Sequence, residues 1–240
     1  MQTSPAERQD ASPAAAAPVR IYRYESSSET ADDAQRDERP EGHPDERLLI
    51  EAVAHFSGTP ASEVVVARHC RRCGADDHGK PYVIAPRRDD GAPIQVSLSR
   101  AGGQAAVAVT AGNPIGLDIE EPAALTRASI DAAALHLAEQ AALLAAPDSE
   151  RDDIRTLLWC AKEAVLKATG WGLAVDPSEL EFALAADGQL TLETWPSSLE
   201  LDEAPYLGVV ELPTTTADRM LLGVIAVIGE RPSDVDLWRI

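Results

Sequence analysis

The sequence predicts an α+β fold, because segments with strand alternation and segments with helical periodicity are grouped together in both halves of the chain. Apolar residues recur at helical spacing over 45–56, 129–146 and 152–169. Gly58 and Gly170 follow the first and last of these segments in the position of C-terminal caps. Strands and helices do not alternate one by one, so a doubly wound parallel sheet is not predicted.

Strands are predicted where short alternating or apolar segments are bounded by turn-forming residues. They cover residues 19–24, 64–67, 82–85, 94–99, 104–110, 115–120, 180–184, 190–193, 206–211 and 221–228. Residues 100–103 and 186–188 contain glycine and are predicted to be hairpin turns.

The chain is expected to divide near Gly112 and Asn113, into an N-terminal half, 19–112, and a C-terminal half, 113–240. Residues 1–18 are rich in Ala, Pro and Ser and are predicted to be a disordered tail. The polar, acidic residues 25–44 are interpreted as a long loop.

The charge of the chain is strongly negative, with 40 acidic residues against 21 Lys and Arg and a net charge of −19. Such a surface repels nucleic acid phosphates, so a nucleic acid partner is not predicted. No segment approaches the roughly 20 apolar residues that span a bilayer, and no secretory signal is recognised. The three cysteines form no disulfide framework, and we expect a cytoplasmic protein.

Alternation over residues 115–120 directs Gly116, Asp118 and Glu120 to one face of a predicted strand. Two carboxylates beside a glycine suggest a cavity with concentrated negative charge. Hard oxygen ligands of this kind suit Mg²⁺, which completes its shell with water and substrate phosphates. The alternative is an edge strand whose acids are simply solvated.

On the predicted helix 152–169, Trp159, Glu163 and Lys167 form a stripe at spacings of four residues. An exposed Glu–Lys pair is the simpler interpretation, but a tryptophan in the same row indicates a partly closed cleft. Glu163 would add a third carboxylate to those of the strand, and Lys162 and Lys167 would add two cations. That set suits a magnesium–pyrophosphate substrate better than a metal-free hydrolase.

The order Gly116-x-Asp118-x-Glu120 followed by Trp159-x-x-Lys162-Glu163-x-x-x-Lys167 resembles the paired signature of 4'-phosphopantetheinyl transferases. Upstream, 78–81 (HGKP) and 96–99 (VSLS) look like further segments of the family. The length, and a full half before the first motif, look like the surfactin-type, pseudo-dimeric branch. The resemblance implies two similar α+β halves related by a pseudo-two-fold axis, with the active site in the cleft between them.

The resemblance implies an enzyme, a holo-[acyl-carrier-protein] synthase. It would move 4'-phosphopantetheine from coenzyme A to a serine of an apo acyl or peptidyl carrier protein and release 3',5'-ADP. The cofactor would be Mg²⁺, with Mn²⁺ as a possible substitute. The carrier would serve fatty acid, polyketide or nonribosomal peptide synthesis, and a single chain would work as a monomer without contacting a membrane.

The family's functional positions carry over to residues of both motifs and of the first half. Asp118, Glu120 and Glu163 would hold the metal; Glu163 would also be the general base, and Lys167 would stabilise the charge that builds on the transferring phosphoryl group. The residues expected to contact coenzyme A are Arg47, Lys80, Ser99, Arg100 and Lys162.

The chain departs from the family pattern at two points. Arg100 occupies the position where the family usually has histidine. Arginine can bind a phosphate but cannot accept a proton. The net charge also opposes an acidic carrier protein unless a local basic patch exists. Such a patch could be formed by Arg68, Arg71, Arg72, Arg87 and Arg88. The alternatives are a catalytically degenerate relative that only binds coenzyme A or a carrier, and a Mg²⁺-dependent hydrolase of the coenzyme A pyrophosphate.

The sequence offers two other possible metal sites. His69, Cys70, Cys73 and His78 could form a zinc knuckle, but one Cys-x-x-Cys with irregularly placed histidines favours a loop of reduced cysteines. His136, Glu139 and Glu163 suggest a dimetal carboxylate site, which lacks its second histidine. Cys160, beside the apolar stripe of its helix, is predicted to be a packing residue.

Overall fold

The computed structural model of the protein describes residues 16–25, 44–128, 130–214 and 220–239. The predicted tail up to residue 15 and the predicted loop over 26–43 lie outside these residues. Within them the fold is a mixed α+β structure, which confirms the predicted class. None of the described helices has the length and apolar character needed to cross a bilayer.

The strands, in chain order, are β1 Val19–Glu25, β2 Val65–His69, β3 Lys80–Ala85, β4 Ile94–Ala101, β5 Gln104–Ala111, β6 Ile115–Glu120, β7 Glu181–Leu184, β8 Leu190–Thr194, β9 Tyr206–Pro213, β10 Met220–Val227 and β11 Val235–Arg239. The helices are α1 Pro44–Ser57, α2 Pro122–Ala128, α3 Asp131–Ala134, α4 Leu137–Ala145 and α5 Arg151–Thr169.

The first large sheet has the strand order β11-β1-β5-β4 and packs against α1. Leu49 and Val53 of the helix belong to the same buried cluster as Val96 of β4 and Val107 of β5. The turn between β4 and β5 consists of Gly102 and Gly103, both with positive φ, which is the backbone of a tight two-residue hairpin.

The second large sheet has the order β6-β10-β9 and carries α5 on one face. Its other face contributes Ile115, Leu117 and Ile119 to a core shared with Val19 and Ile21 of β1. The apolar side of β6 therefore points into a core, as its alternation predicts. Each large sheet thus has one long helix against it; a pseudo-two-fold relation between the halves stays a prediction.

The two sheets meet where β4 lies beside β6, and serine hydroxyls join them. The Oγ of Ser97 accepts a hydrogen bond from the backbone N–H of Leu117 at 2.9 Å, and that of Ser99 accepts from Ile119 at 3.3 Å. These bonds satisfy backbone donors of β6 that the second sheet leaves unpaired. Ser99 is thereby fixed beside the face of β6 that carries the acidic residues.

The predicted helix over 129–146 is wrong as a single element, because α3 and α4 are separated by Leu135 and His136. His136 caps α4: its ring accepts from Ala138, and its backbone N–H donates to the Glu139 carboxylate at 2.7 Å. Such a capping box starts a new helix within an apolar pattern that is otherwise continuous.

The strand β11 was not predicted, because all five of its residues are exposed and no core-facing alternation marks it. It forms by pairing in parallel with β1, from Val19 opposite Val235 onward. A strand from the end of the chain therefore completes the sheet of the first half. The division at residues 112 and 113 stays a prediction, and β11 crosses it.

Candidate active site

Gly116 allows β6 to lie directly against α5. A Cβ atom at this position would be 1.8 Å from the carbonyl oxygen of Ala164 and 2.7 Å from the backbone nitrogen of Ala168. The glycine therefore serves close helix–strand packing, not the cavity that the sequence suggested. This contact brings the following residues of the same strand face, Asp118 and Glu120, next to the helix.

Asp118 is almost fully buried, with 3% of its surface exposed. Its Oδ1 atom accepts hydrogen bonds from Lys167 Nζ at 2.6 Å and from Ser99 Oγ at 2.8 Å. Its Oδ2 atom is buried and has no hydrogen-bond partner among the residues that the structure describes. A buried carboxylate oxygen without a partner is costly, so this atom is available for a ligand.

The other two carboxylates of the predicted metal set lie in the same electrostatic environment. Burial, followed by the negative charge of Asp118, raises the pKa of Glu120 to about 7 against the opposing effect of Lys167 and a hydrogen bond from Trp159. Burial also raises the pKa of Glu163, with Lys167 acting in the opposite direction. Trp159, Glu163 and Lys167 are all half-buried, so their stripe faces a partly closed region, as the tryptophan in the row predicted.

The three carboxylates suit Mg²⁺ by their chemistry, since all are oxygen donors and one Asp118 oxygen has no partner among the residues described. The oxygens of these carboxylates do not all lie within 4.8 Å of one another. In the described part of the chain, the group of possible metal ligands that meets this distance is Cys70, Cys73 and His78. Lys167 pairs with Asp118 at 2.6 Å, and its charge opposes the rise in the pKa of both Glu120 and Glu163. A divalent cation would balance the remaining negative charge of the three carboxylates.

A cavity of about 540 Å³ opens between the β2–β3 hairpin, β4 and the C-terminal end of α5. Its wall includes the cations Arg68, Arg72, Lys80 and Lys167. Lys167 thus belongs both to the carboxylate cluster and to the cavity. A chain of strongly negative net charge therefore presents a local concentration of positive charge where a ligand could enter.

Lys80 is held at the end of α5. Its Nζ donates to the carbonyl oxygen of Ala168, and the neighbouring Arg71 donates to that of Thr169 at 2.9 Å. Cations at these positions satisfy the last carbonyl groups of the helix and interact favourably with the negative end of the helix dipole. Burial, together with the positive charge of Arg71, lowers the pKa of Lys80 to about 8.

The basic patch expected from five arginines is only partly formed at the cavity. Arg68 and Arg72 line it. Arg71 pairs with Glu200 at 2.7 Å, and Arg88 pairs with Asp90 at 3.2 Å. Arg71 and Arg88 are therefore already engaged with carboxylates.

Trp171 lines the cavity and was not predicted as a site residue. Its indole nitrogen is buried without a hydrogen-bond partner among the described residues, and Arg71 lies 4.3 Å from the ring centre. Its position directly after Gly170, which ends α5 in the left-handed conformation, was the available signal. The end of the helix lies at the cavity, so a large aromatic residue that follows it directly becomes part of the cavity wall.

The prediction that Lys162 contacts coenzyme A is wrong, because its side chain is completely buried away from the cavity. Its Nζ pairs with Glu139 at 2.8 Å and donates to the carbonyl oxygens of Pro177 and Leu180. All three ammonium donors are thus used inside the protein. The same pair engages Glu139, so the dimetal alternative with His136 and Glu139 is also wrong.

Three other predicted contacts with coenzyme A lie outside the wall of the cavity. Arg47 is exposed on α1 and pairs with Glu51 at 2.8 Å. Arg100 is exposed at the end of β4. Ser99 is buried and directs its hydroxyl to Asp118, so its place in the structure is that of a support for that carboxylate. Of the five predicted contacts, Lys80 alone lines the cavity.

The fold and the site define an α+β protein whose carboxylate cluster on β6 and α5 adjoins a cation-lined cavity. Residues 114–208 match the family model of the 4'-phosphopantetheinyl transferase superfamily. The matched residues contain both carboxylate-bearing elements, β6 and α5.

Similar solved structures include the holo-[acyl-carrier-protein] synthase of Neisseria meningitidis. It is 20% identical, with a TM-score of 0.37 and coverage of 47% of this chain and 96% of the other. The holo-(acyl-carrier-protein) synthase of Bacillus anthracis, in complex with CoA (3',5'-ADP), is 18% identical, with a TM-score of 0.36 and coverage of 48% and 96%. No curated protein matches the chain.

Proposed function

We propose that the protein transfers 4'-phosphopantetheine from coenzyme A to a serine of an apo acyl or peptidyl carrier protein. The observation that carries this proposal is that Lys167 links the carboxylate cluster to the cavity. It pairs with Asp118 at 2.6 Å and also lines the 540 Å³ cavity. A pyrophosphate at the inner end of the cavity would lie between the carboxylates and the cations. The match of residues 114–208 to the superfamily model supports the same reaction.

The proposed binding mode places the anionic groups of coenzyme A against Lys80, Arg68 and Arg72, which line the cavity. The indole N–H of Trp171, which has no partner in the described part of the chain, would donate to an oxygen of the same ligand. Lys167 would contact the phosphoryl group that is transferred. Because these groups are already held by the end of α5 and the β2–β3 hairpin, they need little reorganisation to bind phosphates.

In the proposed reaction the hydroxyl oxygen of the carrier serine forms a bond to the phosphorus next to pantetheine. The bond from that phosphorus to the bridging oxygen breaks, and 3',5'-ADP leaves with the electron pair. Glu163 takes the serine proton; burial raises its pKa, which makes it a stronger base than an exposed carboxylate. Lys167 stabilises negative charge on the phosphoryl oxygens.

We propose that Asp118, Glu120 and Glu163 hold Mg²⁺, with Mn²⁺ as a substitute. When bound, the ion would supply positive charge to the pyrophosphate oxygens and align them. We further assign the chain to the surfactin-type branch, with a single chain as the working unit in the cytoplasm. The sequence pattern supports this branch, since a full half precedes the metal motif.

The test is incubation of the full chain with coenzyme A, Mg²⁺ and apo carrier proteins of all three pathways, followed by measurement of carrier mass. We expect a phosphopantetheine gain that is lost in Asp118→Asn and Glu163→Gln. Glu193→Gln, at an exposed position of β8, is the matched control and should keep full activity.

Two outcomes would contradict the proposal in different ways. Release of 3',5'-ADP without any carrier, abolished by Asp118→Asn, would identify a hydrolase of the coenzyme A pyrophosphate. Binding of coenzyme A without a mass gain on any carrier and without release would identify a binding protein. In that case Arg100→His, which installs the residue usual in the family, tests whether Arg100 blocks turnover.

A further inference from the structure

The turn of the β2–β3 hairpin gathers three soft donor groups outside the carboxylate cluster. One donor atom each from Cys70, Cys73 and His78 lies within 4.8 Å of the others. The Nε2 atom of His78 is 3.3 Å from the Sγ atom of Cys73, and both cysteines are free thiols. Thiolates and a neutral imidazole favour zinc over the hard cation Mg²⁺.

The imidazole of His78 is oriented by a second residue. Its Nδ1 atom is 2.6 Å from the carboxylate of Asp77, so the other ring nitrogen, Nε2, is directed toward Cys73. A carboxylate on the outer nitrogen of a histidine is the usual support of a zinc ligand, because it sets the tautomer and increases the basicity of the coordinating nitrogen.

The backbone of the hairpin brings the donors together without an ion. The N–H of Cys70 donates to the carbonyl of Ala75 at 2.9 Å, and the N–H of Gly74 donates to the carbonyl of Cys70 at 2.8 Å. Gly79, with φ of +94°, passes so close to the first strand that a Cβ atom would lie 2.6 Å from the Cα of Cys70. The glycine thus lets the segment carrying His78 return against Cys70.

We propose that Cys70, Cys73 and His78 bind a Zn²⁺ ion at the turn of the β2–β3 hairpin. Three protein donors leave a fourth position for water. His69 is not a ligand, because it is paired with Asp76 at 3.0 Å and lies outside the converging group. The site therefore differs from the four-residue knuckle considered from the sequence.

The role of the zinc would be to hold one wall of the 540 Å³ cavity. Cys70 and His78 both line that cavity, as do Gly79 and Lys80, which follow in the chain. A metal bridge across the turn fixes the start of β3 relative to β2. The inference stands apart from the transfer reaction, since it concerns different ligands and a different metal.

The first measurement is the metal content of the full chain, purified under reducing conditions without chelators. We expect about one zinc per chain, since the cluster is a single site. Replacement by Co²⁺ should give the near-ultraviolet charge-transfer absorption of cobalt–thiolate bonds. Cys73→Ser and His78→Ala should lose both signals, and Asp77→Asn should bind zinc about 10- to 100-fold more weakly.

His69→Gln is the matched control, because it removes a histidine of the same hairpin that is not in the group; it should keep its zinc. Melting curves of all variants check that they fold. Zinc that is retained in Cys73→Ser but lost in Asp118→Asn would place the ion in the carboxylate cluster and overturn the proposal. Failure of the reduced protein to bind added Zn²⁺ or Co²⁺, or equal loss of zinc in His69→Gln, would overturn it as well.

Discussion

Lys162 and Glu139 form an ion pair in which both side chains are completely buried, with 2.8 Å between Nζ and Oε2. Glu139 also accepts from the backbone N–H of His136 and, at 2.8 Å, from that of Phe182. The pair ties α4 and α5 to the start of β7. Lys162 and Glu163 are adjacent in sequence, yet only Glu163 reaches the carboxylate cluster.

Removal of the Lys162 ammonium should destabilise the protein without changing the lining of the cavity. We expect Lys162→Met to lower the free energy of unfolding by about 3–5 kcal/mol, because the buried Glu139 loses its compensating charge. Urea denaturation measures the change. The double variant Lys162→Met, Glu139→Gln should recover part of the loss, and a single-variant cost below about 1 kcal/mol would contradict this account.

Gly116→Ala should be strongly destabilising, by about 3 kcal/mol or more, since the added methyl group meets the backbone of α5. Gly208→Ala on β9 is the matched control. Its Cβ would meet only side-chain atoms, at 3.1–3.3 Å from Ile225 and Tyr206, and these can shift. Thermal and urea unfolding compare the two variants; equal costs would show that the contact between β6 and α5 is not what requires glycine.

The raised pKa of Glu120 predicts a pH dependence of stability in the absence of divalent metal. Because the pKa rises from 4.5 to about 7 on folding, the folded state binds a proton that the unfolded state has lost between these values. The free energy of unfolding should therefore fall as pH rises through this range and level off above it. Glu120→Gln removes this contribution.

The measurement is urea denaturation of the parent protein and of Glu120→Gln from about pH 5 to about pH 8, with chelator present. The variant should gain stability relative to the parent as pH rises. A constant difference between the two proteins would mean that the Glu120 pKa is not raised. Addition of Mg²⁺ should stabilise the parent more at the higher pH, where the carboxylates are ionised.

Ser97 and Ser99 each accept a hydrogen bond from a backbone N–H of β6, but Ser99 also donates to Asp118. A comparison of Ser97→Ala with Ser99→Ala therefore isolates the contribution of the bond to Asp118. Both variants leave a backbone N–H of β6 without its acceptor and should cost about 1–3 kcal/mol. Only Ser99→Ala also removes a donor to Asp118. It alone should raise the Mg²⁺ concentration required for stabilisation, by about tenfold. An equal shift in both variants would contradict the positioning role.

Lys80→Met should weaken coenzyme A binding about tenfold or more, because a charged hydrogen bond contributes about 1.5–3 kcal/mol. Isothermal titration calorimetry with the full chain measures the affinity. Arg88→Met is the control, since Arg88 is exposed, pairs with Asp90 and lies outside the cavity wall. Unchanged affinity in Lys80→Met would show that coenzyme A does not use this cavity.

Much of the local structure follows from spacing within short segments. The alternation over β6 correctly separates Ile115, Leu117 and Ile119 from the acidic face. Trp159, in the same row as Glu163 and Lys167, correctly indicates a partly closed helix face. Boundaries that depend on caps or on pairing were less predictable. The break before α4 and the exposed strand β11 are the two examples.

The sequence by itself determined the α+β class and the two carboxylate-bearing motifs, because both depend on periodicity within single elements. The tertiary structure alone decided that Lys167 and not Lys162 lines the cavity, that Ser99 supports Asp118, and that Cys70, Cys73 and His78 converge. These relations join residues through packing between elements, such as the contact of Gly116 with α5. The spacing of residues along the chain does not predict such contacts.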